Sequence, residues 1–110
     1  VVLVQPTPNN NEDLGQCLIR ASVNKQDLST CNFDLAENTR GKINALLHRA
    51  SNVAPVFSLD PLICPDGVCL ASVDGLFIYR DTAHLSHEGS TYLGKTYDLM
   101  GQLVKAADLG

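Results

Sequence analysis

Hydrophobic residues occur along the chain in two patterns: short unbroken runs, and runs spaced by three or four positions. Val1–Val4 is an unbroken run that leads into a loop rich in proline and asparagine, and it predicts a buried strand. Residues 34–50 carry apolar side chains at helical spacing, with Asp34 and Glu37 placed as a capping box, and predict an amphipathic helix. A second apolar run over 53–59 predicts another buried strand. Strand, helix and strand in this order predict two parallel neighbours in one sheet.

The second half of the chain predicts a β-hairpin followed by a helix. Apolar residues over 68–73 and 76–79 flank Asp74-Gly75, a dipeptide that tolerates the positive φ angles of a two-residue type I′ turn. From residue 88 to residue 107 the apolar side chains again fall on one helical face, although two glycines lower the intrinsic helix propensity. The order of these elements predicts an α/β fold with parallel strands, flanking helices and a small β-hairpin.

Composition restricts the class of protein. The 110 residues are 45% hydrophobic and 18% charged, which is typical of one folded domain and not of a disordered or multidomain chain. The formal net charge is -4 and the cations are scattered, so we expect no nucleic-acid partner. No apolar run approaches the roughly 18–20 residues that a transmembrane helix needs, so we expect no membrane span in this chain.

The start of the sequence indicates a piece of something longer. Val1 already lies inside an apolar run, and the only methionine is Met100. A domain cut before its first strand would leave unpaired backbone along that edge. We therefore expect residues 1–110 to be part of a larger domain and the piece to self-associate when it is studied alone.

Four cysteines allow three disulfide pairings. Local spacing favours Cys17 with Cys31, within a segment, 12–33, that predicts mostly irregular structure with a short helical turn near Leu14–Arg20. It also favours Cys64 with Cys69, because the Pro-Asp-Gly sequence between them turns the chain back tightly. Two local pairs indicate an oxidising compartment, such as the bacterial periplasm or the cell exterior.

A metal site is the alternative interpretation of the same region. Cys64 and Cys69 are followed by His84 and His87, a loose two-cysteine, two-histidine arrangement that could bind zinc. A zinc module would require reduced thiols, so the two interpretations exclude each other. The disulfide interpretation needs no metal, and we expect none.

The densest group of polar residues lies over 79–89, between the hairpin and the last helix. Asp81 precedes His84 by three residues, so a bend can turn the carboxylate towards the imidazole, fix its tautomer and stabilise the imidazolium. Such a pair is a general base for a nucleophile that is supplied from elsewhere in the fold. The structural alternative is that Asp81 caps a turn while His84 packs against Tyr79.

Residues 81–89, with the sequence DTAHLSHEG, resemble the last conserved block of the SGNH hydrolase superfamily. In that block a loop between a strand and a helix carries the Asp and the His of a Ser-His-Asp triad. The small cysteine loop CPDGVC over 64–69, followed by a hairpin that ends in Tyr79-x-Asp81, is similar to the SGNH domains fused to acyltransferase-3 (AT3) membrane proteins. The resemblance is specific over 60–93 and topological before that.

The resemblance implies an extracytoplasmic O-acyltransferase with a flavodoxin-like, three-layer SGNH fold, tethered to the inner membrane through its parent protein. Its partners would be an acyl donor and a glycan acceptor, to whose hydroxyl it moves an acetyl or similar group without a cofactor. By position, His84 would be the base and Asp81 the acid that orients it. Leu85, Ser86 and Gly89 would shape the loop, with Ser86 as the N-cap of the final helix.

The sequence departs from the family in its nucleophile. Family members take their serine from a Gly-Asp-Ser block and their oxyanion donors from a Gly block and a Gly-x-Asn-Asp block, and none of these occurs here. A base without its nucleophile does not transfer acyl groups. We therefore expect residues 1–110 to be the base-bearing, C-terminal portion of the domain. An esterase or deacetylase with the same site, and a non-catalytic binding module, are the alternatives.

Three further cationic or titratable side chains have mainly structural interpretations. His48 lies on the polar side of the predicted helix and is expected on the surface. His87 is expected at the start of the last helix, with a place in the same cleft as His84 as the alternative. Arg80 is expected to form a salt bridge, and contact with an anionic substrate is its alternative.

Overall fold

The computed structural model describes residues 2–39 and 41–109, and helices and short strands alternate along it. The helices are α1 (Leu14–Val23), α2 (Gly41–Ala50), α3 (Asp60–Ile63), α4 (His87–Thr96) and α5 (Leu99–Leu109). The strands are β1 (Leu3–Val4), β2 (Phe33–Asp34), β3 (Val56–Phe57), β4 (Val68–Cys69), β5 (Ser72–Val73) and β6 (Leu76–Phe77). The first residue of the predicted first strand, position 40 of the predicted helix and the last residue of the chain lie outside the described residues.

The predicted strand, helix and strand unit is present. β1 and β3 pair in parallel, with Leu3 opposite Val56 and Val4 opposite Phe57, and α2 lies between them in the sequence. This unit, flanked by helices and accompanied by a small hairpin, confirms the predicted α/β class. The strands are less buried than predicted, since Val4 is 51% exposed and Val53, which the prediction placed in the second strand, lies in a turn and is 87% exposed.

The hairpin forms at the predicted turn, but its first arm is shorter than predicted. β5 and β6 pair antiparallel around Asp74 and Gly75, whose φ angles of 50° and 84° are those that a type I′ turn requires. Residues 68–69 belong instead to β4, which pairs antiparallel with β2. The predicted strand over 68–73 is therefore divided between two small sheets.

The predicted helix over 34–50 was wrong in its first part, residues 34–39. Phe33 and Asp34 form β2, and the backbone N–H of Leu35 donates to the carbonyl of Gly67 at 2.8 Å. Asp34 precedes the 3-10 turn at Leu35–Glu37, and its side chain makes no capping hydrogen bond. Pairing with β4 therefore overrides the local capping signal, and α2 begins only at Gly41.

The predicted final helix over 88–107 is two helices. The chain breaks between α4 and α5 at Asp98, which has a φ of 47°, a left-handed conformation that ends a helix. The side-chain amide of Gln102 donates to the carbonyl of Tyr97 at 2.5 Å and occupies one of the acceptors left at this end of α4. Neither Gly94 nor Gly101 is at the break.

The segment predicted to be irregular contains α1, a helix of ten residues. Asp13 caps it by accepting a hydrogen bond from the backbone N–H of Gln16 at 3.0 Å. One face of the helix, carrying Leu14, Leu18 and Ala21, is buried in the core. The short helical turn predicted near Leu14–Arg20 is thus present, and the expectation for this segment was wrong only in understating the length of the helix.

The core lies between α1, the hairpin, α3 and α4. Its buried members are Leu14, Leu18, Ala21, Cys31, Phe33, Leu59, Ile63, Cys64, Cys69, Ala71, Ile78, Tyr79 and Leu93. Three of the four cysteines are among them, and Cys17 packs against this cluster. None of the helices within residues 2–39 and 41–109 combines the length and the apolar composition needed to cross a membrane.

Candidate active site

The polar loop after the hairpin is closed by backbone hydrogen bonds at its base. Tyr79 and Leu85 form an antiparallel bridge, and the N–H of Arg80 donates to the carbonyl of His84 at 2.8 Å. One step further out, the N–H of Ser86 donates to the carbonyl of Ile78 at 2.9 Å. Residues 80–84 are thus held as a tight loop whose ends are fixed to the core.

Tyr79, which precedes this loop, anchors it to the core. Its side chain is completely buried, and its ring meets that of Phe33 edge to face, with the centroids 6.3 Å apart. Its hydroxyl donates to the carbonyl of Pro8, in the loop that follows β1. The loop with the predicted catalytic residues is therefore held by contacts with β2 and with the loop that follows β1, and no pattern in the sequence predicts either contact.

Asp81 and His84 face each other as their spacing predicted. The Oδ1 and Oδ2 atoms of Asp81 lie 3.0 Å and 3.1 Å from Nδ1 of His84. Oδ1 also accepts the backbone N–H groups of Ala83 at 3.1 Å and His84 at 2.9 Å. Because a carboxylate only accepts hydrogen bonds, Nδ1 carries a proton in this pair, and Nε2 of the neutral ring is left as an acceptor.

The hydrogen bonds keep Asp81 ionised. The backbone N–H of His84 is the main cause that lowers the pKa of Asp81 to about 2, partial burial opposes it, and the N–H of Ala83 and the imidazole of His84 lower it further. An anionic carboxylate at this point stabilises the imidazolium that forms when Nε2 accepts a proton. The arrangement has the electrostatics of a general base.

The imidazole is open to solvent. The side chain of His84 is 68% exposed and that of Asp81 is 38% exposed. Within residues 2–39 and 41–109, no hydroxyl group lies within hydrogen-bond distance of the His84 ring. A reacting group can therefore approach Nε2 from outside this part of the chain.

Ser86 is the N-cap of the helix that follows the loop, as predicted. Its Oγ accepts the backbone N–H of Gly89 at 2.8 Å, as the N-cap of α4, and donates to the carbonyl of Phe77 at 2.5 Å. The residue is 8% exposed. It fixes the start of α4 to the end of the hairpin and so sets the position of the loop that precedes it.

Arg80, His87 and His48 lie on the surface. Nε of Arg80 is 3.7 Å from Oδ2 of Asp81, an exposed salt bridge of the expected kind. His87 is the first residue of α4, and His48 lies in α2. Both side chains are exposed.

Two glycines allow backbone to pack directly behind the loop. A Cβ placed on Gly15, in α1, would lie 1.9 Å from the carbonyl oxygen of Arg80. A Cβ on Gly89, in α4, would lie 2.5 Å from the carbonyl oxygen of Ile78. Gly89 is one of the loop-shaping positions taken from the resemblance, whereas Gly15 was missed. The only feature of the sequence that indicated a packing role for Gly15 is that a glycine stands near the start of a helix.

All four cysteines are paired. The disulfides join Cys17 to Cys31 and Cys64 to Cys69, which is the pairing that local spacing favours. The zinc alternative is wrong, because Cys64 and Cys69 are bonded to each other and neither sulfur is a thiolate that can bind a metal. The first disulfide fixes α1, the helix behind Arg80, to the 3-10 turn at Leu28–Cys31.

A comparison with protein families extends the similarity beyond this loop. The family model described as SGNH domain (fused to AT3 domains) matches residues 1–98. No curated protein and no solved structure matches the chain. The match includes both disulfides, the hairpin, and the Asp81 and His84 loop.

Proposed function

The chain belongs to the family of SGNH domains that are fused to AT3 domains, and from this premise we propose that it is the base-bearing part of an extracytoplasmic acyltransferase. The reaction moves an acyl group, chiefly acetyl, onto a hydroxyl of a cell-surface glycan. His84 acts as the base of a Ser-His-Asp triad, Asp81 orients it and stabilises its imidazolium, and the serine comes from polypeptide outside residues 1–110. The supporting observation is the Asp81 carboxylate 3.0 Å from Nδ1 of His84, which leaves Nε2 to accept a proton.

The proposed reaction has two steps with one base. First, Nε2 of His84 accepts the proton of the serine hydroxyl while the serine oxygen attacks the acyl carbonyl of the donor. The leaving group departs with that proton and an acyl-serine remains. Second, Nε2 accepts the proton of a sugar hydroxyl, whose oxygen attacks the acyl-serine, and the proton passes to the serine oxygen. Asp81 stabilises the imidazolium in both steps.

A location outside the cytoplasm is part of the proposal. It is supported by two disulfides, by the absence of a free cysteine among the described residues, and by membership of an AT3-fused family. Disulfides persist in oxidising compartments such as the periplasm. We further propose that the AT3 domain tethers the protein to the inner membrane, close to the acyl donor.

The test is acyl transfer by the AT3-fused polypeptide that contains these residues. His84→Ala removes the base and should lower the rate of transfer by about 10²–10⁴-fold, the usual contribution of general base catalysis. His48→Ala is the matched control, since His48 is an exposed histidine on α2. Equal rates in the His84 variant and the wild type would contradict the proposal and favour a non-catalytic binding module.

Hydrolysis by the same site is the second candidate. The 68% exposure of the His84 side chain supports it, because water can then reach Nε2 and attack the acyl-serine in place of a sugar. The two reactions share the first step and differ in the acceptor. Following a labelled acetyl group distinguishes them: transfer gives acetylated glycan, and an esterase releases acetate.

A further inference from the structure

A second open site lies beside the candidate active site, along one side of α4. It is a groove of about 420 Å³ between this helix and Leu76 of the hairpin. His87, Thr91 and Lys95 line it at intervals of four residues, so they form one row along the helix. This row is about 12 Å long at the usual helical rise, enough for an elongated ligand.

The groove combines apolar groups with hydrogen-bond donors and acceptors. Tyr92 and Leu76 supply ring and aliphatic surface, Thr91 supplies a hydroxyl, and Glu88 and Lys95 supply an acceptor and donors. Among the described residues, neither Glu88 nor Lys95 has an ion-pair partner. The opposite charges cancel, so the groove has no net charge from this pair.

We propose that this groove binds a neutral saccharide segment of the acceptor. This inference rests on the proposed function and specifies where its substrate lies. A sugar ring has an apolar face that packs on Tyr92, and hydroxyls that both donate and accept towards Thr91, Glu88 and Lys95. An acyl chain would use only the apolar part of this lining, and an anionic ligand would meet Glu88. The mixed lining therefore fits a polyhydroxyl ligand best.

The groove begins close to the base. His87 is three residues after His84, so the two Cα atoms are at most about 11 Å apart by the reach of an extended chain. Ser86, the buried N-cap of α4, fixes the helix relative to the loop. A saccharide held along α4 would thus extend towards Nε2 of His84 and bring one hydroxyl to the base.

The experiment is a titration of the ¹⁵N-labelled AT3-fused polypeptide that contains these residues with maltotriose, a neutral saccharide probe, followed by amide chemical shifts. We expect shifts over 87–96 and at Leu76, which saturate. Thr91→Trp fills the groove from an exposed position and should weaken binding at least tenfold. His48→Trp is the matched control, because His48 is also exposed and lines a different groove, of about 250 Å³, with Asn44 and Ser51.

The outcomes separate this inference from the proposed function. Saturable shifts confined to α4 and Leu76, lost in the Thr91 variant and kept in the His48 variant, would support the saccharide site. Octanoate binding in place of maltotriose, equal shifts in both grooves, or no shifts would overturn it. His84→Ala should still bind maltotriose, so a loss of acyl transfer with intact binding tests catalysis alone.

Discussion

The carbonyl oxygen of Arg80 lies where the β-carbon of residue 15 would be, and only the glycine at that position allows the contact. A Cβ on Gly15 would be 1.9 Å from this oxygen and 2.7 Å from the carbonyl carbon. Both atoms are backbone, so neither can rotate out of the way. The loop with Asp81 and His84 therefore packs directly against the first turn of α1.

Gly15→Ala should displace this loop. We expect the free energy of unfolding to fall by about 1–3 kcal/mol, the usual cost of overpacking, and the amide resonances of residues 79–84 to shift. Gly94→Ala is the matched control, because a Cβ there meets no atom within 4 Å and the helix gains about 0.5–1 kcal/mol in propensity. Chemical denaturation measures the free energy of unfolding, and amide spectra report on the loop. Unchanged amide shifts over 79–84 in Gly15→Ala would contradict the close packing of Gly15 against Arg80.

Asp81→Asn should change the tautomer of His84. The amide can offer its NH₂ group to Nδ1, which makes Nδ1 an acceptor and moves the proton to Nε2, so the base loses its free lone pair. In the ¹⁵N spectrum of the His84 ring, Nε2 should then have the shift of a protonated nitrogen and Nδ1 that of an unprotonated one. Asp74→Asn is the control, because Asn also tolerates the positive φ of the hairpin turn. A ring that keeps Nδ1 protonated in Asp81→Asn would contradict this role of Asp81.

Stability should fall in strong acid through Asp81. Hydrogen bonds lower its pKa from 3.8 to about 2, so the folded state binds this proton less readily than the unfolded state. The resulting stability is present above pH 3.8 and is lost as the pH falls towards 2. A titration of the Asp81 carboxyl carbon by NMR should have its midpoint near pH 2, and the Asp81→Asn variant should lose this part of the acid dependence. A midpoint near 3.8 would show that the hydrogen bonds are absent.

Ser86→Ala should loosen the start of α4. It removes the acceptor of the Gly89 N–H and the donor to the Phe77 carbonyl, and we expect a loss of about 1–2 kcal/mol, as for other helix caps. Ser90→Ala is the control from the same helix, since Ser90 is exposed and such changes usually stay within about 0.5 kcal/mol. Equal unfolding free energies in the two variants, measured by urea denaturation, would exclude the capping role.

Local signals in the sequence were sufficient where a feature depends on neighbouring residues. The contact between Asp81 and His84 needs one bend, the turn at Asp74-Gly75 needs two positive φ angles, and Cys64 and Cys69 need one tight turn. Each of these was predicted from spacing and turn chemistry alone.

Features that depend on distant parts of the chain were not predictable. Asp34 and Glu37 have the spacing of a capping box, yet pairing with Val68 draws Asp34 into a strand. The break at Asp98 needs a left-handed residue that propensity does not reveal. Gly15 is recognisable as part of the site only once Arg80 is known to lie against it. At Asp34 and Gly15 tertiary packing decides the outcome, whereas at Asp98 a local backbone conformation does, and none of the three leaves a periodic pattern.

The hydrogen bond between the Tyr79 hydroxyl and the Pro8 carbonyl joins the first loop of the chain to the start of the candidate site. The two residues are 71 positions apart, and the chain is synthesised from its N-terminus. The hydrogen bond between these two residues can therefore form only after Tyr79 has been synthesised. Contacts of such long range slow folding because closing the chain between them costs conformational entropy. The support beneath the loop with Asp81 and His84 thus depends on bringing together two parts of the chain that are 71 positions apart.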